Sequence, residues 1–204
     1  MLSESLERLT LRGDEKALRS ALKQQQQRSS SSSSLYFPLK LAAEHGLLNI
    51  VKLFVEEGKC NMNQQDSVCI GSILEVENDH MTPLAMACWR NQLHVVKYLC
   101  SFPNIELNIK FTRAENTCLH IAAMYGYFDV VHCLLKHGAE KSLKNYYWRT
   151  AEEEALARGY SELASFISRY EIGTAIKLQL KRQVLEQDSF SEYHLSDVHV
   201  NTLS

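Results

Sequence analysis

A chain of 204 residues, 45% of them apolar, is long enough to bury a sizeable core. Its formal net charge of −2, with neither a basic stripe nor a long acidic block, argues against a nucleic-acid backbone as the main ligand and towards protein. The first residues carry mixed charge rather than a basic-then-apolar leader, and no apolar run reaches the roughly 18 residues of a membrane span, so a soluble chain of the cytoplasm, with the nucleus as the alternative, is expected.

Residues 1–23 follow a helix, Gly13, helix rhythm, with Leu6, Leu9, Leu18 and Leu22 as the apolar positions. They are expected to form a capping pair that closes one end of a stack. Residues 24–34, Gln24 to Gln27 followed by Arg28 and the serines Ser29 to Ser34, have nothing to bury and are expected to be a disordered loop.

From residue 35 one phrase recurs with different words: Phe37-Pro-Leu-Lys-Leu-Ala-Ala-x-x-Gly46, Thr82-Pro-Leu-Ala-Met-Ala-Cys-x-x-Asn91 and Thr117-Cys-Leu-His-Ile-Ala-Ala-x-x-Gly126. Each is followed at a fixed offset by a second helical phrase, Asn49 to Val55, His94 to Cys100 and Asp129 to Leu135. The units align at Pro38, Pro83, Cys118 and a degenerate fourth at Ala151, giving steps of 45, 35 and 33 residues. A fixed period of this size is the mark of a stacked repeat. The longer first step implies an insertion near residues 65–78, read either as an extended finger or as a partner-binding loop.

The Thr-Pro-Leu-His-x-Ala signature and its period resemble the ankyrin repeat over residues 35–170. The resemblance implies an all-α solenoid of helix-turn-helix units with hairpin fingers, capped at both ends, whose concave surface binds other proteins. Local chemistry agrees: Thr82 and Thr117 can cap a helix that has Pro83 in its first turn, and Gly46, Gly126, Gly159 or Asn91 can end the helix in the left-handed region. The fourth unit keeps Thr150, Ala155 and Gly159 but replaces the Leu-His core with Glu152, Glu153 and Glu154, the pattern of a cap with a solvent-facing side. Residues 171–187 place Ile172, Ile176, Leu180 and Val184 on one helical face, expected to pack on the last repeat or to form a partner seam, and residues 188–204 are expected to be a disordered tail.

No catalytic, cofactor or metal residues are expected. The eight histidines have no Ser, Cys or carboxylate at a spacing that activates a nucleophile, and no glycine-rich phosphate loop occurs. The six cysteines suit a reducing compartment; they include no Cys-x-x-Cys pair, and the nearest His/Cys neighbours, His132 and Cys133, point in different directions on a helix, so a zinc site is not expected. His120 stands at the His of the repeat motif, where the resemblance implies a structural brace.

The informative residues lie where the repeat does not need them. The resemblance implies that the two residues before each helix-ending glycine face the groove: Glu44-His45, Trp89-Arg90, Met124-Tyr125 and Ala157-Arg158. The fingers add Phe111 and Arg113, then Tyr146, Tyr147 and Trp148, the last standing where the repeat consensus has Gly. Trp, Tyr and Arg are over-represented among binding hot spots. Trp89, Arg90, Phe111, Arg113, Met124, Tyr125, Tyr146, Tyr147, Trp148 and Arg158 are therefore the expected protein-binding residues of a chain that is monomeric alone. The expected role is a protein-interaction adaptor or scaffold; the alternatives are a recognition subunit of an enzyme complex or a bacterial effector mimicking a host adaptor.

Overall fold

Among the described residues, 2–27, 35–65, 81–111 and 113–170 of a computed structural model, ten helices follow one another. They are α1 Leu2–Arg12, α2 Glu15–Gln27, α3 Tyr36–Glu44, α4 Leu48–Glu56, α5 Pro83–Trp89, α6 Leu93–Cys100, α7 Cys118–Met124, α8 Phe128–Lys136, α9 Ala151–Ala157 and α10 Ser161–Arg169. No helix among the described residues is long and apolar enough to cross a membrane. Residues 28–34 with the expected serine loop, residues 66–80, which hold all but the first residue of the insertion expected near 65–78, and residues 171–204 with the expected helix and tail lie outside the described residues.

The helices alternate between two rows. The odd-numbered helices pack in the order α1, α3, α5, α7, α9, and α2, α4, α6 and α8 pack behind them. Small residues make the first row possible: Ala42, Ala43, Ala85, Ala87, Cys88, Ala122, Ala123 and Ala155 are all buried, so helix backbones approach closely. The second row supplies bulk through Phe54, Leu99 and Leu134, which are also buried. Removing this apolar surface from water is the main favourable term in forming the stack.

Caps set the starts. The Thr82 hydroxyl accepts from the Ala85 N–H at 3.2 Å. Thr150 accepts from the Glu153 N–H at 3.3 Å, while the Glu153 carboxylate accepts from the Thr150 N–H at 2.7 Å, a reciprocal capping box. That bond to the Thr150 backbone holds the Glu153 carboxyl below its ordinary value. Helix α3 has Leu35 at its cap position and no side-chain cap, because the first unit lacks the threonine of the other three. The ends follow the sequence reading: Gly46, Gly126 and Gly159 have φ of +68°, +72° and +86°, and Asn91 takes the same region at +56°. At Gly46 space matters too, since a Cβ there would collide with the Gln92 side chain.

Two expectations need correction. Gln24 to Gln27 are not loop but the last turn of α2, because glutamine is a good helix former and extends a helix that has already nucleated. Glu154 does not face solvent: it is 4% exposed and part of a polar network described below.

Candidate protein-binding groove

Polar bonds between successive repeats fix where the groove residues point. His94 Nε2 meets the Gly46 carbonyl at 2.7 Å, and Gln92 Nε2 donates to the Glu44 carbonyl at 3.3 Å, tying the second unit to the first. His120 does the same between the third and fourth: its Nε2 donates to the Arg149 carbonyl at 3.0 Å, and its Nδ1 faces the Thr117 hydroxyl at 2.8 Å and backbone N–H at 3.3 Å. Burial lowers the His120 pKa, which favours the neutral ring this arrangement needs. The brace implied by the resemblance is therefore present.

The finger of residues 144–150 is built on Asn145, which is buried. Its Oδ1 accepts from the N–H groups of Tyr147 at 3.0 Å and Arg149 at 3.1 Å, and its Nδ2 donates to Asn116 Oδ1 at 3.0 Å and Glu154 Oε1 at 2.9 Å. The Arg149 guanidinium lies 3.9 Å from the same Glu154 oxygen. This network, missed in the sequence because its members are 9 and 29 residues apart, anchors one finger to its neighbour and to α9. The Tyr146 N–H adds a bond to the Ala114 carbonyl at 2.8 Å.

One groove of about 900 Å³ results, and its lining includes Trp89, Arg113, Met124, Tyr125, Tyr146, Tyr147 and Arg158. Trp89 Nε1 donates to the Tyr125 hydroxyl at 3.3 Å, and Tyr125 stacks on Tyr127 with ring centroids 5.6 Å apart. Arg158 and Arg113 are exposed and make no ion pair among the described residues. Three expected residues lie elsewhere. Arg90 turns away to hold Glu44 at 2.6 Å, with its guanidinium 4.1 Å from the Trp89 ring centroid, so it orients Trp89 and does not line the groove. Trp148 stands outside it, 78% exposed.

Phe111 is a correction. It is 2% exposed, because its backbone pairs with Asn116 through bonds of 2.9 and 3.1 Å and the ring turns into the core.

Away from the groove the stack makes a grouping that sequence spacing hid. Cys100 at the end of α6, Cys133 in α8 and His137 at the cap of α8 bring their ligand atoms within 4.8 Å of one another. Hydrogen bonding from Cys100, with help from His137 and Lys97, holds the Cys133 thiol below its ordinary value, while Cys100 as donor, and buried, is pushed up. The described cysteines, Cys60, Cys88, Cys100, Cys118 and Cys133, are all free and buried.

A family profile for ankyrin repeats in three copies matches residues 10–111 and 39–145. Similar curated proteins include palmitoyltransferase AKR1 of Lachancea kluyveri, 34% identical over 104 residues, 50% of this chain and 13% of that protein. A transient receptor potential cation channel subfamily A member 1 homolog of Caenorhabditis elegans is 29% identical over 125 residues, 61% of this chain and 9% of its own length. A zinc finger CCCH domain-containing protein 56 of Arabidopsis thaliana is 38% identical over 68 residues, 32% of this chain and 10% of that protein. The chain thus spans about a tenth of the length of each of these relatives. Ankyrin repeats are generally protein–protein interaction modules and typically non-catalytic, and their profile matches the same stacked units that the helix caps and repeat braces define. This chain belongs to the ankyrin-repeat family.

Proposed function

We propose that this chain is an adaptor or scaffold that holds an extended, acidic segment of a partner protein in the groove of its second to fourth repeats. The observation that carries the reading is convergence: Trp89, Tyr125 and Tyr147 come from three successive repeats and line one groove beside Arg113 and Arg158. Aromatic side chains bury large area at small entropy cost while keeping a polar handle, which suits them to recognition. Two exposed guanidinium groups without ion-pair partners among the described residues favour a partner segment that carries carboxylates, which each fork can grip through two bonds. Trp148 adds a second support. Its backbone sits at φ +61°, where a bulky residue is strained, and its side chain is 78% exposed, so packing within the chain does not compensate for the strain.

Affinity purification of the intact chain followed by mass spectrometry identifies the partner, and titration calorimetry then measures its binding to variants. Trp89→Ala and Tyr147→Ala should each weaken binding by about 2 kcal/mol or more, while Lys97→Glu on the second-helix side should change it little. Loss of binding in Lys97→Glu alone would move the partner to the opposite face.

A further inference from the structure

We propose that Cys100, Cys133 and His137 form a zinc site that bridges the second and third full repeats on the second-helix side of the stack. The ligand atoms of the three residues lie within 4.8 Å of one another, with Cys133 Sγ 3.8 Å from His137 Nδ1. A tetrahedral zinc ion with Zn–S near 2.3 Å places two thiolate sulfurs about 3.8 Å apart, so side-chain adjustments of about 1 Å convert the present cluster into a coordination shell. Two sulfurs and one imidazole are the donor set for zinc rather than for calcium or magnesium, which take oxygen.

The surroundings favour a cation. Helix α6 ends at Cys100 and α8 ends one residue before His137, so both present their negative carbonyl ends to the cluster. His137 Nδ1 now meets the Cys133 carbonyl at 2.8 Å, and loading the ion exchanges that oxygen for the metal at one ring nitrogen. Cys100 and Cys133 are buried, whereas His137 is exposed, which gives the ion an entry path and leaves the fourth position to water. The ligands come from two adjacent units 33 residues apart in sequence, so the close-spaced pairs by which zinc sites are ordinarily recognised are not required.

The test uses the intact chain, freshly reduced with a phosphine and stripped of metal, titrated with cobalt(II) and then with zinc. Cobalt should bind one equivalent and give thiolate charge-transfer absorption with the intense visible bands of a four-coordinate ion, and zinc should bleach both. His137→Ala, a change at an exposed position, should weaken zinc binding at least about tenfold in chelator competition, Cys133→Ser should abolish the cobalt spectrum, and His132→Ala on the same helix should leave it unchanged. Circular dichroism of each variant separates loss of a ligand from loss of the fold. A folded, reduced wild-type chain without thiolate–cobalt bands overturns the site, as does a spectrum that survives both His137→Ala and Cys133→Ser, which would assign the metal to other cysteines.

Discussion

The two fingers that border the groove use aromatic residues in opposite ways. The finger of residues 110–117 turns Phe111 inward to 2% exposure and seals itself with a backbone bridge to Asn116. The finger of residues 144–150 leaves Tyr146, Tyr147 and Trp148 64%, 64% and 78% exposed, and takes its rigidity from the buried polar frame of Asn145, Asn116 and Glu154. Both hold a residue other than glycine in the left-handed region two places before the capping threonine, Glu115 at φ +52° and Trp148 at φ +61°. Glu115 makes an ion pair with Lys110 at 3.0 Å, whereas Trp148 extends into solvent. One finger thus derives stability from its aromatic residue, and the other, held by hydrogen bonds, leaves its aromatic residues exposed.

The largest expected effect tests the inward-facing finger. Phe111→Ala should cost about 3–5 kcal/mol of unfolding free energy in urea, as a fully buried aromatic truncation, while Tyr147→Ala should cost less than about 0.5 kcal/mol. Equal costs for the two would erase the distinction between packing and display.

Next comes the polar frame. Asn145→Ala removes four hydrogen bonds and leaves the buried Glu154 carboxylate and Asn116 amide short of partners, so it should destabilise the chain by about 1–3 kcal/mol and increase amide exchange at Tyr147 and Arg149. If exchange in the Phe111 finger rises as much as in its neighbour, the frame holds both fingers and the contrast is one of degree.

The smallest effect is the most discriminating. Trp148→Gly relieves a left-handed strain of about 1–2 kcal/mol but admits the added chain entropy of glycine, about 0.5–1 kcal/mol, so stability should stay level or rise by up to about 1.5 kcal/mol. Partner affinity should fall in the same variant. A marked loss of stability would mean that the indole packs within the chain.

Much of this could be read from residues close in sequence. The starts of α5, α7 and α9 were legible because a cap is a local device: Thr82, Thr117 and Thr150 bond to N–H groups three residues on, and Gly46, Asn91, Gly126 and Gly159 answer a backbone need at a single position. Trp89, Tyr125, Tyr146 and Tyr147 were legible as candidate groove residues because the resemblance to the ankyrin repeat implies which positions face the groove and the fingers, and Trp and Tyr there are hot-spot residue types. Phe111 was misread for a related reason, since residue type signals recognition and core packing equally when a finger's orientation is unknown.

The sequence by itself therefore determined the repeat and its period, which self-similarity along the chain displays, and the threonine caps and left-handed helix ends, which depend on interactions within a few residues; the end of α2 it did not. Only the tertiary structure decided how the units speak to one another. It buried Glu154 with Asn145 and Asn116, turned Arg90 onto Glu44, and brought Cys100 against Cys133 and His137. Each of those contacts joins separate elements of the stack, and the direction in which a side chain leaves its helix or finger becomes defined only when the neighbouring repeat is packed against it.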